Sequence, residues 1–155
     1  EVAHVFDGYR DGQALVGNDA AGDAQVIVFA ILYDAPDQAQ RWVRADVALS
    51  RNKDEKLRTG NVRITAADYA LGAGADGRLP GTVATKTVRV GAQEVVAVVH
   101  FVSVGRVALE IALTGPTGIT RAQVDAFLDA AERYVTDPAH PLPGPGGEVP
   151  APEGK

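Results

Sequence analysis

The chain has 155 residues, a formal net charge of -5, and neither cysteine nor methionine. That length suits one domain, which hides roughly two-thirds of its unfolded surface without a covalent staple. The acidic balance argues against binding polyanions such as nucleic acid, and the missing cysteines exclude disulfides, thiolate metal sites and cysteine nucleophiles. No run is long and apolar enough for a transmembrane segment. Because position 1 is Glu and no Met occurs, the chain reads as an excised or processed segment whose leader is missing.

Residues 2–7 (VAHVFD) form a short strand candidate, with a return strand at 13–16. Residues 17–23 are rich in Gly, Asn and Asp and read as a loop. Residues 25–33 are apolar on both strand faces, with Val26, Val28, Ala30 and Leu32 against Ile27, Phe29, Ile31 and Tyr33. Such a strand is central and covered twice, or lies at an interface. Asp34 then offers a helix cap, with Pro36 tolerated in the first turn. The helix carries Ala39, Trp42, Val43, Val47 and Leu49 on its apolar side. It fades into the mixed-charge run 51–56 (RNKDEK), read as a solvated loop.

Residues 62–65 are a short strand, 66–71 are ambiguous with one helical turn among the options, and 72–81 form a loop. Strand character resumes at 82–90, continues at 93–103 across a Gly91-Ala92 turn, and returns at 106–114. Gly105 supplies an unusual backbone angle in the last hairpin. In residues 106–114, Val107, Leu109, Ile111 and Leu113 make one aliphatic face. Arg106, Ala108, Glu110, Ala112 and Thr114 make a small or charged one, the pattern of a half-buried strand. Thr120 and Gln123 form a capping box, Ile119 and Val124 a hydrophobic staple, and apolar residues from Val124 to Val135 recur at helical spacing. Pro138 ends that helix. Strand 25–33 and strand 106–114 each lead into a capped helix, a weak internal echo.

No pattern gathers chemistry. Residues 72–77 match GxGxxG formally, but no clear strand leads in and Leu79-Pro80-Gly81 stands where a helix should start. Asp7, Asp11, Asp19 and Asp23 lack calcium-loop spacing. No GxSxG elbow or Walker loop occurs, and Ser50 and Ser103 are the only serines. His4, His100 and His140 lack metal-ligand spacing. The sequence therefore assigns no catalytic residue, no metal and no cofactor. Trp42, Tyr69 and His100 are the candidate ligand-binding residues. Two are large amphipathic rings, and His100 interrupts an aliphatic strand face as a pocket-wall group would. Core packing is the competing explanation for each.

Two phrases, VIVFAILYDAPDQAQRWV and VVAVVHFVSVGRVALEIALTGPTGITRAQVDAFLDAAERYV, resemble actinobacterial cell-envelope lipoproteins. They are also similar to extracellular sensor-type domains of actinobacterial kinases and to the PsbP-like fold. The resemblance implies an envelope-facing binding or accessory domain with a lipid anchor upstream. It brings no catalytic motif, so no residue role is carried over. The sensor domains usually hold disulfides, which this chain cannot form.

The expected fold is a single α+β domain over residues 1–136, with a mostly antiparallel sheet and two main helices, about 35–49 and 121–135. A Pro/Gly-rich tail follows at 137–155. The expected function is a non-enzymatic extracytoplasmic domain, secreted or envelope-anchored, binding a small apolar ligand or a partner protein. Two alternatives stand beside it. One is a small enzyme using His100 with a nearby carboxylate. The other is an assembly domain whose two-sided strands form a homodimer interface.

Overall fold

The structure is a computed structural model that describes residues 7–18, 24–72, 81–115, 129, 133 and 137–139. The described residues form one six-stranded sheet, every neighbouring pair antiparallel. The elements are β1 (Tyr9–Asn18), β2 (Gln25–Tyr33), α1 (Pro36–Lys56), β3 (Val62–Gly72), β4 (Gly81–Val90), β5 (Gln93–Val104) and β6 (Val107–Gly115). The strand order is β1-β2-β6-β5-β4-β3. The meander β4–β5–β6 forms as the turn residues predict, with Gly105 at φ 54 in the β5–β6 turn. β6 then pairs with β2 and joins the first two strands to the last four.

The two-sided apolarity of β2 and β5 is used inside this sheet. One face holds Val28, Leu32, Val102, Val104, Val107, Leu109, Ile111 and Leu113. The other holds Tyr33, Val99, Phe101 and Ala108 packed against Ala39 and Val43 of α1. Each large apolar side chain withdrawn from water contributes roughly 1.5–3 kcal/mol. β6 is therefore not half-buried as its alternation predicts, because α1 lies on the face read as solvated. Ala108 is fully buried there, and its small side chain, like that of Ala112, lets the helix come close.

Helix α1 ends seven residues later than expected and runs through the charge-rich segment to Lys56. Arg, Lys and Glu are good helix formers, and Lys53 and Lys56 fall in the last turn, where the helix dipole favours cations. Its N-cap is Ala35, whose N–H donates to the Gln38 side chain at 2.9 Å. Asp34 does not cap; its carboxylate accepts from Arg10 on β1. Leu49, expected on the apolar side, is 49% exposed.

The short strand at 62–65 extends to Gly72 because β4 offers a full ladder, with a register shift between Ile64 and Ala66 absorbing the irregularity. A strand thus does lead into the GxGxxG match. At Gly81 the antiparallel partner strand begins. β1 starts at Tyr9, four residues earlier than expected.

The strand at 2–7 falls outside the described residues except for Asp7, which lies in a turn. The second expected helix also falls outside them except at Asp129 and Arg133. Both are helical and exposed, as the polar side of that helix requires. One helix, α1, is thus shown in full where two were expected. Of the tail, only residues 137–139 are described.

Candidate functional site

The inward stripe of α1 begins apolar, with Ala39, Trp42 and Val43, and continues at the same spacing with Asp46, Ser50 and Asp54. Helical periodicity places all of them on the side facing the sheet. The second half of the helix therefore brings polar groups under cover, where each needs a partner.

At the far end the partners come from β3 and β4. Lys86 Nζ lies 2.9 Å from Asp54 Oδ1 and 2.7 Å from Ser50 Oγ. The Tyr69 hydroxyl donates to Asp54 Oδ2 at 2.5 Å and is 3.1 Å from Ser50 Oγ. Asp54 and Lys86 are both buried. The Tyr69 ring also lies beneath Arg51 (4.7 Å) and beside Lys86 (5.5 Å). Burial, followed by the hydrogen bond to Asp54, pushes the Tyr69 hydroxyl above its ordinary value. A serine within reach of a lysine resembles a nucleophile–base pair, but Lys86 is engaged as an ammonium in its ion pair with Asp54. An ammonium cannot take the serine proton. This network fastens helix to sheet, and Tyr69 belongs to it.

In the middle of the helix the partner is Glu110. The register aligns Ala14, Phe29, Glu110, Phe101 and Thr82 in one row across the sheet, on the helix side. Glu110 is thus set between two phenylalanines, with Asp46 above it. Burial raises both carboxyls above the usual carboxylate range; for Glu110 the bond and charge of Asp46 add to this and bring it to about 7. Two carboxyls bond each other only when one keeps its proton, and burial acts on both in the direction that keeps it. Among the described residues nothing donates to Asp46 Oδ2, which is shut off from solvent. Lys53 and Lys86 act on both carboxyls and lower them. Nearby, burial and then the charges of Tyr9 and Asp46 push the Tyr33 hydroxyl up to about 12.

Helix α1 packs chiefly on β5 and β6. The helix side of β1 and β2 is left open, and Phe29 is 41% exposed. A cavity of about 530 Å³ occupies this space, lined by Tyr9, Gly12, Gln13, Ala14, Phe29, Ala30, Ile31, Trp42, Lys53 and Glu110. The small residues Gly12 and Ala14 on β1 make the room; Phe29, Trp42 and Tyr9 supply aromatic walls.

Of the three residues singled out from sequence, Trp42 lines this cavity, and Tyr69 and His100 are not among its lining residues. His100 is buried on the opposite side of the sheet, in the row of Val83 and Ile111. The sheet separates it from Asp46, Asp54 and Glu110. Sequence reasoning missed Asp46 and Glu110. The signal for Asp46 was its place on the 39–43–50–54 stripe, and for Glu110 its place between Ala108 and Ala112. Among the described residues no three metal-ligating side chains converge.

No protein-family model matches the chain, and no characterised protein matches its sequence. The fold is similar to that of the extracellular domain of PknH from Mycobacterium tuberculosis, with a TM-score of 0.51 at 15% identity, covering 83% of this chain and 68% of that one. PA94 from Pseudomonas aeruginosa, a protein of unknown function, matches with a TM-score of 0.43 at 12% identity, covering 83% of this chain and 85% of that one. The PknH domain fits the extracellular-domain part of the expected resemblance at the level of fold. The lipoprotein and PsbP-like parts have no support among these matches.

Proposed function

We propose that this is a non-enzymatic extracytoplasmic binding domain whose site is the cavity between α1 and the β1–β2 edge. The observation that carries it is the cavity itself. About 530 Å³ is the volume of a small-ligand site, and its aromatic walls surround a few polar groups. The extracytoplasmic part rests on the fold shared with the PknH extracellular domain. The ligand has an apolar body that lies against Phe29 and Trp42, with a polar end toward Glu110 and Lys53.

Trp42 is the only tryptophan, so its emission reports the site alone. The test is a fluorescence titration with phenyl-bearing probes. Saturable change is expected in the wild type and is lost in Ala14→Phe, which fills the cavity from β1. Saturation undisturbed by Ala14→Phe places binding elsewhere and ends this reading.

A further inference from the structure

The cavity has a charge deficit, and the deficit specifies its ligand. The carboxyls of Asp46 and Glu110 face each other between α1 and β6, and Glu110 reaches the cavity. Two lysines act on this pair. Lys86, from β4, is already neutralised by Asp54 at 2.9 Å. Lys53, from α1, lines the cavity and is exposed. The other titratable groups close by, Tyr9 on β1 and Tyr33 on β2, are phenols, and the Tyr33 hydroxyl is pushed up to about 12, so it carries no charge near neutral pH. Two carboxylates against one remaining ammonium leave the site one positive charge short. Behind Glu110, Asp46 Oδ2 is closed off from solvent, and nothing among the described residues donates to it. Below about pH 7 a proton on Glu110 fills the deficit in the empty site.

We propose that the cavity takes an organic monocation, an amine with an aromatic or alkyl body. Its ammonium meets Glu110, with Asp46 behind, and its body lies against Phe29, Trp42 and Tyr9. Aromatic faces attract a cation, so the walls and the carboxyl pair favour the same ligand. An anion meets two carboxyl groups, and a neutral ligand leaves the deficit in place. Binding of the ammonium displaces the shared proton, so binding and proton release are linked. This inference rests on the cavity being the ligand site, as proposed above.

Three probes of one shape separate the possibilities: 2-phenylethylammonium, 2-phenylethanol and 3-phenylpropionate, each titrated against Trp42 emission at pH 8 and pH 6. At pH 8 the ammonium is expected to bind roughly tenfold tighter than the alcohol, the advantage of one charged hydrogen bond. That advantage shrinks at pH 6, where the pair holds its proton more firmly. In Glu110→Gln, with its fold verified by circular dichroism, the ammonium falls to the affinity of the alcohol. Equal or tighter binding of the alcohol or the propionate at pH 8 overturns the cation assignment and leaves the cavity reading standing. Failure of all three probes overturns both.

Discussion

Replacing Glu110 with Gln should reverse an unusual dependence of stability on pH. In the unfolded chain this carboxyl titrates near its ordinary 4.5; in the fold it titrates at about 7. Between those values the native state holds a proton that the unfolded chain has released. Its contribution is complete below the unfolded value and is lost as pH rises through about 7, so the native state weakens toward alkaline pH. This is the opposite of a salt-bridged carboxylate. Moving a titration from 4.5 to about 7 corresponds to a ceiling of about 3 kcal/mol. Solvent entering through the cavity screens the group and reduces this to roughly 1–2 kcal/mol. An amide cannot ionise, and its NH2 can donate to Asp46. Glu110→Gln is therefore expected to match the wild type at pH 5 and to exceed it by roughly 1–2 kcal/mol at pH 8. Urea unfolding at both pH values measures this, and comparing the two proteins cancels the histidines they share. Parallel profiles for variant and wild type would refute the shared-proton account.

The other predictions concern the frame around the site. Lys86→Met leaves Asp54 buried without its ammonium and should cost roughly 3–5 kcal/mol in chemical denaturation; adding Asp54→Leu should recover most of the loss. A double variant no more stable than Lys86→Met would show that the ion pair is not what the single change removes. At Gly81 an added Cβ would collide with the Phe101 carbonyl oxygen. Gly81→Ala should therefore lower the thermal midpoint, with a cost of roughly 1–3 kcal/mol, and an unchanged midpoint would contradict this strand contact.

The sheet's centre was legible in the residues. β2 and the β4–β5–β6 meander follow from apolar runs and turn glycines, and the start of α1 follows from Pro36 and the spacing of Ala39, Trp42 and Val43. The rest was hidden because periodicity counts only apolar residues. Asp46, Ser50 and Asp54 continue the buried stripe but look like a solvated face. The groups that allow their burial lie far away in sequence: Lys86 is 32 residues from Asp54. The same masking made 51–56 resemble a loop. Glu110 looked exposed because its strand alternates, yet flanking alanines admit the helix above it. β3 lacks a strong pattern of its own, since pairing with β4 specifies its length. Trp42 stands out because a large ring early in an amphipathic helix must cover something, and it lies along the cavity. His100 lies in an aliphatic layer away from the cavity, and an imidazole there carries the same sequence signature as one in a cleft.

One wall of the cavity is an edge strand. β1 is joined to β2 on one side and, among the described residues, has no other strand beyond it. Peeling its ten residues from that single ladder would open the cavity without disturbing β5, β6 or the helix seated on them. A guest could then enter and leave through a local event far cheaper than unfolding the whole domain. The amide protons of β1 become a direct gauge of occupancy, exchanging with solvent quickly when the site is empty and slowly when it is filled.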